Sequence, residues 1–288
     1  MNILVTGASG LVGDAICRFF LKEGFNVTGI VMSASAGISH ERFKEFKMDL
    51  TNSKISFSTS FDAVIHCSAV IPNNKSQKSD EELYLINQKI DQTVFSYCLE
   101  SKIKLIYIST AYLYDCSANE LLGEESFVSK DLKGYYKSKR DSENFLQLSV
   151  PTATILRISS PYGFIDRQNN VMKLFSEKLK NNLPITLIGK GERKQNFIHI
   201  EDIANACFKA IKNETGGVFN TCDDRSYTML ELASFIKGIY KSNSELIFDT
   251  NTSEASVNVN FDISKINRML RWQPKIDLET GLRKTLLN

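Results

Sequence analysis

Histidine, proline and cysteine are scarce in this 288-residue sequence, and neither sign of charge dominates it. The three histidines (His40, His66, His199) are never spaced as a helical ligand pair, and the six cysteines (Cys17, Cys67, Cys98, Cys116, Cys207, Cys222) contain no Cys-x-x-Cys pair. Those two absences exclude the common zinc and disulfide frameworks, so the thiols read as reduced and no metal site is expected. Lys and Arg total 35 against 33 Asp and Glu, a net charge of +2, which makes neither nucleic acid nor a membrane surface an expected partner. No apolar run approaches the length of a membrane span. The opening Met1-Asn2-Ile3-Leu4-Val5-Thr6-Gly7 goes straight into a strand-like run without a charged and apolar leader, and the expected location is the cytoplasm. With 15 Gly and 5 Pro there is no low-complexity tract, and 42% hydrophobic residues suffice for a large core.

What is present is an alternation of strand-like and helix-like segments. Strands are expected at Asn2 to Thr6, Asn26 to Val31, near Phe46 to Met48, at Ala63 to Cys67, Leu105 to Ser109 and Ala153 to Ile158. Helical spacing begins at Leu11 and recurs over about Glu81 to Glu100, near Tyr135 to Leu148 and near Val171 to Lys180. That order predicts an α/β fold with a doubly wound parallel sheet. Pro, Gly and Asn cluster at Pro161 to Asn170, which places a boundary near Ile165. Residues 1–164 are then expected to form one unit, with segments near 195–222 returning to it, and 165–288 mainly a smaller α+β lobe. The polar stretch Ile71 to Ser79 reads as a surface loop, with a loop over a site as the alternative.

Gly7-Ala8-Ser9-Gly10-Leu11-Val12-Gly13 lies where the first strand hands over to the first helix. Backbone amides and the positive end of a helix face one point there, and a pyrophosphate fits it. Glycine permits the tight turn, the close approach of phosphate and the close packing of helix on strand. At the end of the second strand, Val31-Met32-Ser33 stands where a carboxylate would bond the ribose of NAD. Its absence tilts the expectation from NAD toward NADP, with Ser33, Ser35 or Arg42 near the 2′-phosphate. Asp49 is a candidate for the adenine amino group and equally for a turn carboxylate over Asp49-Leu50-Thr51-Asn52.

Tyr135 and Lys139 are four residues apart at the start of a helix and share one face. A phenol is a poor base at neutral pH, but a nearby ammonium and an oxidised nicotinamide both favour its phenolate, which can move a proton while the cofactor moves a hydride. Tyr136 with Arg140 is a competing pair, although a guanidinium cannot be tuned. Thr110 follows a strand at the end of the sheet where ligands bind, and its hydroxyl can donate to a substrate oxygen.

Together these features resemble the extended short-chain dehydrogenase/reductase superfamily, in its NAD-dependent epimerase/dehydratase branch. The likeness spans essentially the whole chain. It rests on the glycine turn, Val64-Ile65-His66-Cys67-Ser68-Ala69, Asn87, Ile108-Ser109-Thr110-Ala111-Tyr112-Leu113-Tyr114 and Tyr135 with Lys139. It continues through Leu156-Arg157-Ile158-Ser159-Ser160-Pro161-Tyr162-Gly163, Gly189-Lys190-Gly191, Phe197-Ile198-His199-Ile200-Glu201-Asp202, and Phe261-Asp262-Ile263-Ser264-Lys265 before Leu270-Arg271-Trp272-Gln273-Pro274. The resemblance implies a Rossmann unit holding NAD(P), a lobe for a nucleotide-sugar, a homodimer through a helix pair, and catalysis by Thr110, Tyr135 and Lys139. It implies cofactor contacts from Gly7, Ser9, Gly10, Leu11, Val12, Gly13, Ser33, Asp49, Leu50, Cys67, Ser68, Ala69, Tyr135, Lys139 and Pro161. Substrate contacts fall on Asn87, Thr110, Ser160, Arg193 and Gln195.

Departures from that pattern narrow the chemistry. Ala111-Tyr112 follows Thr110 where dehydratases of the family carry Asp-Glu, which argues against water elimination. Ser160 and Gln195 stand where the family has an Asn and a diphosphate-clamping Arg, and Arg193 or Lys194 is the nearby substitute. His66 and His199 read as structural. The expected activity is hydride transfer at a carbon of a nucleotide-linked hexose, by reduction of a 4-keto sugar or 4-epimerisation through one, with reduction favoured. The alternatives are a reductase of a non-nucleotide ketone or aldehyde, and a non-catalytic dinucleotide-binding protein.

Overall fold

A computed structural model describes residues 1–72, 78–115, 121–164, 170–213, 216–252 and 259–287. The chain runs β1 (Asn2–Thr6), α1 (Leu11–Lys22), β2 (Asn26–Val31), β3 (Phe43–Lys47), β4 (Ala63–His66), α2 (Asp80–Ser101) and β5 (Lys104–Thr110). A single 3-10 turn (Ala111–Leu113), β6 (Leu121–Leu122), α3 (Gly134–Ser149), β7 (Thr154–Ile158) and β8 (Ser160–Tyr162) follow. Then come α4 (Val171–Lys180), β9 (Ile185–Ile188), β10 (Lys194–His199), α5 (Ile200–Lys212), β11 (Gly217–Thr221) and β12 (Ser226–Thr228). The last elements are α6 (Met229–Tyr240), β13 (Leu246–Asp249), β14 (Asn260–Phe261), α7 (Ser264–Leu270) and α8 (Leu278–Leu287). The boundary expected at Ile165 and the middle of the Ile71 to Ser79 loop lie outside the described residues.

Seven strands form one parallel sheet in the order β11-β7-β5-β4-β1-β2-β3. The chain winds outward from β1 to β3, returns to the other side of β1 at β4, and winds outward again to β11. The order therefore reverses between β1 and β4, where the loops above the strand ends diverge and leave a crevice. Both faces of the sheet are covered, which is why its strands read as continuous apolar runs. Ile3, Val5, Ile65 and Leu156 pack toward Ile16, Phe20 and Ala206 on one face, while Leu4, Val64, Tyr107 and Ile155 meet Ile90, Val94 and Leu146 on the other. β3 begins three residues before the expected strand because four of its five residues are exposed, and Lys44, Glu45 and Lys47 leave little apolar pattern.

The smaller assembly has a three-stranded sheet, β12-β10-β8, and two two-stranded pairs. Helices α4, α6 and α8 close over Tyr162, Phe197, Leu232 and Leu282. His199 ends β10 and caps α5, accepting the Glu201 amide on Nδ1. Burial lowers its pKa from 6.5 to about 4, against the raising effect of Glu201 and with Lys284 adding to the depression. A depressed histidine contributes stability that is fully present above its unfolded value and is lost as pH falls through its folded one. Thermal melts of His199→Asn, which keeps a capping acceptor without a titrating ring, are expected to show a shallower loss of Tm than the parent between pH 6.5 and about 4. Equal slopes would remove His199 from the acid response.

Candidate active site

The glycine turn is built by close contact. Gly7 has φ +70°, and a Cβ there would sit 3.0 Å from the Ser68 amide nitrogen, so the turn leans directly on the loop after β4. Gly10 donates to the Gly7 carbonyl at 2.9 Å and forms the N-cap of α1. A Cβ on Gly13 would lie 2.2 Å from that same carbonyl oxygen. No side chain caps α1. The amides of Leu11 and Val12 are therefore left at the positive end of the helix, facing the crevice between β1 and β4. A phosphate group fits this cradle, and a side chain at Gly7 or Gly13 would strike the backbone of the β4 loop or of the turn itself.

Thr6, which the sequence reading passed over, fixes the other wall. Its oxygen accepts the amides of Cys67 and Ser68, both at 3.2 Å, and its hydroxyl meets Nδ1 of the buried His66 at 2.6 Å. Burial pushes the Cys67 thiol up to about 12, so at neutral pH Cys67 is a neutral wall residue. Ala69 follows Ser68 along the same wall. Asn87 does something other than the expected substrate contact. Its amide accepts the Val70 N–H at 2.7 Å and donates to the Val70 and Leu83 carbonyls, both at 2.9 Å, which braces the loop from inside α2.

The candidate proton-transfer residues gather on α3 and the end of β5. Lys139 is 2% exposed, and its ammonium donates to the Ile108 carbonyl at 2.9 Å. It lies 4.2 Å from the centre of the Tyr107 ring and 5.8 Å from that of Tyr135. Thr110 closes β5 and accepts the Tyr112 amide at 3.2 Å, leaving its own proton for another acceptor. The structure thus brings Tyr135 and Lys139 together on one helix that packs on β5 and the 3-10 turn. Tyr136 is the exposed member of the aromatic pair, its ring 5.2 Å from that of Tyr135.

A family model for the NAD dependent epimerase/dehydratase family matches residues 3–222. The chain belongs to this family. Among its relatives are a UDP-glucuronate 4-epimerase of Thermodesulfobacterium geofontis, 26% identical over 98% of this chain and 94% of that protein, and a dTDP-4-dehydro-6-deoxyglucose reductase of Escherichia coli, 23% identical over 99% and 96%. The fold matches the crystal structure of a UDP-glucuronic acid 4-epimerase from Bacillus cereus in complex with NAD, with a TM-score of 0.80 at 23% identity over 99% and 96% of the two chains.

Several expectations for this epimerase/dehydratase family member need correction. Arg42 cannot serve a 2′-phosphate. Its guanidinium donates to the Gly24 carbonyl, and the register Val27↔Phe43 puts it at the opposite end of the sheet from the crevice. The Ser35 hydroxyl and the Ala36 amide are both held by the Glu45 carboxylate, a negative group that the sequence reading did not connect to this loop. Ser33 is exposed beyond β2 with no such constraint. Asp49 takes the turn role: it accepts the Thr51 amide, the Thr51 hydroxyl and the Asn52 side chain, and these bonds lower its pKa. The Leu50 side chain is buried in the core, so its backbone is the part left for a ligand.

Tyr135 also departs from expectation. Burial raises its pKa, and Tyr136, Asp91 and Glu143 push the same way. Lys139 does not offset them here because its ammonium is turned to the Ile108 carbonyl and the Tyr107 face.

The candidate substrate residues Ser160 and Gln195 belong to a motif unrecognised in the sequence. Gln195 donates to the Ser160 hydroxyl at 2.6 Å, which shares a 2.9 Å hydrogen bond with the Tyr112 phenol. Tyr112, Ser160 and Gln195 therefore act as one linked wall beside Thr110, next to Pro161 on β8. The Arg193 guanidinium contacts the Met229 sulfur at 3.3 Å. Lys194 lines a cleft of about 580 Å³ with Arg225, Ser226 and Thr228. Glu143 and Arg157 are a buried ion pair at 2.6 Å that ties α3 to β7 behind the site. Among the described residues there is no metal-binding cluster and no helix long and apolar enough to cross a membrane.

Proposed function

We propose that this protein is a nucleotide-sugar 4-epimerase that retains NAD, with residues 1–164 and the returning segment near 195–222 forming the cofactor unit and the remainder the sugar-nucleotide lobe. The single observation that carries the reading is the joint placement of a side-chain-free cradle at Gly7, Gly10 and Gly13 and a Tyr135–Lys139 face beside the end of β5. The amides of Leu11 and Val12 would hold the pyrophosphate, with Ser9, Ser68, Ala69 and Pro161 around the dinucleotide. Bound there, the dinucleotide supplies a two-electron acceptor that takes a hydride from the sugar carbon and later returns it.

This chain's residues do the rest. Tyr135 takes the proton of the sugar hydroxyl as the hydride leaves, and gives it back to the carbonyl oxygen when the hydride returns. Lys139 would hold the ribose of the cofactor and add its charge to the cofactor's own positive charge, and the two together would favour the phenolate. Thr110 donates its free proton to the reacting oxygen, which draws charge toward that atom in the transition state. Lys194 would face the diphosphate of the substrate, in place of the Arg that Gln195 replaces. The placement of Arg42 at the far end of the sheet and the Glu45 carboxylate on Ser35 support NAD over NADP, and with it an epimerase that keeps its cofactor.

Nucleotide released by denaturing the purified protein and identified by mass spectrometry is expected to be NAD in near-stoichiometric amount. Incubation of the same preparation with UDP-hexoses and UDP-hexuronic acids is expected to yield the C4 epimer without added cofactor. A protein that releases NADP, and that turns over only with added NADPH, would establish the reductase reading instead.

A further inference from the structure

A carboxylate stands behind the proton-transfer group, and the activity proposed above does not use it. Asp91 lies one helical turn after Asn87 on the inward face of α2 and is 2% exposed. One oxygen faces His66 Nε2 at 2.8 Å, and the other accepts the hydroxyls of Tyr107 and Ser142, both at 2.7 Å. Each of these partners leads to the site. Ser142 is three residues after Lys139 on α3. Tyr107 carries the Lys139 ammonium over its ring while its hydroxyl binds Asp91. His66 continues to Thr6, which fixes the Cys67 and Ser68 wall of the cofactor crevice.

The charges in this pocket settle what the carboxylate does. His66 is neutral, because burial lowers its pKa more than Asp91 raises it and Lys139 pushes it lower still. It then donates Nε2–H to Asp91 and accepts the Thr6 hydroxyl on Nδ1. The buried cation near Asp91 is the Lys139 ammonium. Taking an isolated ammonium or an isolated carboxylate out of water is costly, and an opposite charge nearby reduces that cost for both, whereas removing one partner leaves the other buried and uncompensated. We infer that Asp91 is the counter-ion and positioning residue of Lys139, holding the ammonium charged and in place behind Tyr135 while its His66 link couples it to the cofactor wall.

The groups facing Lys139 are Asp91 from α2, Cys67 and His66 at the end of β4, Tyr107 from β5, and Tyr135 and Glu143 from α3. Burial lowers the lysine pKa from 10.5, opposed by Asp91, Cys67 and Glu143. For Asp91 burial raises the pKa, but the lysine charge and the donors outweigh it and leave the group ionised. The inference rests on Lys139's role in the proposed function, yet its test needs neither substrate nor turnover.

Asp91→Asn keeps the side chain's shape and removes its charge. In thermal melts of the full chain as purified, it is expected to lower Tm at neutral pH, and the deficit against the parent is expected to shrink as pH rises through the lysine's own pKa, which burial holds below 10.5. In a Lys139→Met background the same substitution is expected to lose more than half of its effect or to raise Tm, because the carboxylate there has no cation. Should Asp91→Asn alone not fold, the double variant is expected to be recovered folded. A deficit that is independent of pH and equal in both backgrounds, or a double variant no better recovered than Asp91→Asn, would show that Asp91 is only a hydrogen-bond acceptor and overturn the assignment.

Discussion

Tyr135→Phe is expected to keep its bound dinucleotide and to lose turnover by roughly 10²–10⁴-fold, the range that general acid–base catalysis supplies. The substitution removes one oxygen from a ring whose position is set by other contacts. The ring packs edge to face on Tyr136. The backbone carbonyl of Tyr135 accepts the Ser138 hydroxyl at 2.7 Å, a bond that phenylalanine retains. Nothing in the cradle at Gly7, Gly10 and Gly13 touches the phenol, so the nucleotide released on denaturation should match the parent in identity and amount. The pH dependence follows from the same environment. Burial and three neighbours raise the phenol's pKa in the protein alone. Turnover of the parent should therefore rise with pH across the neutral range, as a larger share of Tyr135 reaches the phenolate. Turnover by Tyr135→Phe equal to that of the parent would remove the phenol from the mechanism.

The second large effect is expected at Gly13. A methyl group there would lie 2.2 Å from the Gly7 carbonyl oxygen and 2.8 Å from its carbon, and both atoms belong to backbone, so relief requires the turn itself to open. Gly13→Ala is expected to abolish NAD retention and to lower stability by about 1–3 kcal/mol, the usual cost of overpacking a tightly packed position. Gly238 gives the opposite result from the same chemical change. It lies inside α6 with no heavy atom within 4 Å of a built Cβ. There Gly238→Ala should raise stability by roughly 0.5–1 kcal/mol, through the lower chain entropy of the unfolded state and better helix propensity. Thermal melts with and without added NAD, together with the amount of nucleotide bound per chain, check both positions. Full NAD retention by Gly13→Ala would mean that the close approach of helix and turn is not what forms the phosphate site.

The parallel sheet was legible in the sequence because each of its interior strands is buried on both faces and so reads as a short apolar run. The glycine turn was legible because its position after β1 restricts what three glycines can be for. Tyr135 with Lys139 could be read from helical spacing, and Thr110 from its place at the end of β5. Other parts carried no local signal. β8, β12, β6 and β14 are two or three residues long, too short for an alternation to register. Arg42 looked available to a phosphate because a sequence does not show which end of a strand its neighbour reaches; the β2–β3 register does. Asn87 was identified as a site residue but given a ligand's role, whereas its amide groups are committed to the backbone of Leu83 and Val70. Asp91 had a signal that could have been used. A carboxylate four residues after Asn87, among Leu83, Ile90 and Val94, is a charge on an inward face, and such a group needs a partner.

In the proposed enzyme the cradle before α1 holds a dinucleotide whose reactive ring comes to rest against the face shared by Tyr135 and Lys139. A crystal structure of the protein with NAD tests it most directly. The expected result is a pyrophosphate on the amides of Leu11 and Val12, a nicotinamide ribose within hydrogen-bonding reach of Lys139, and the phenol of Tyr135 directed at the space beside the nicotinamide ring. A pyrophosphate bound elsewhere, or a phenol screened from the ring by intervening side chains, would contradict it.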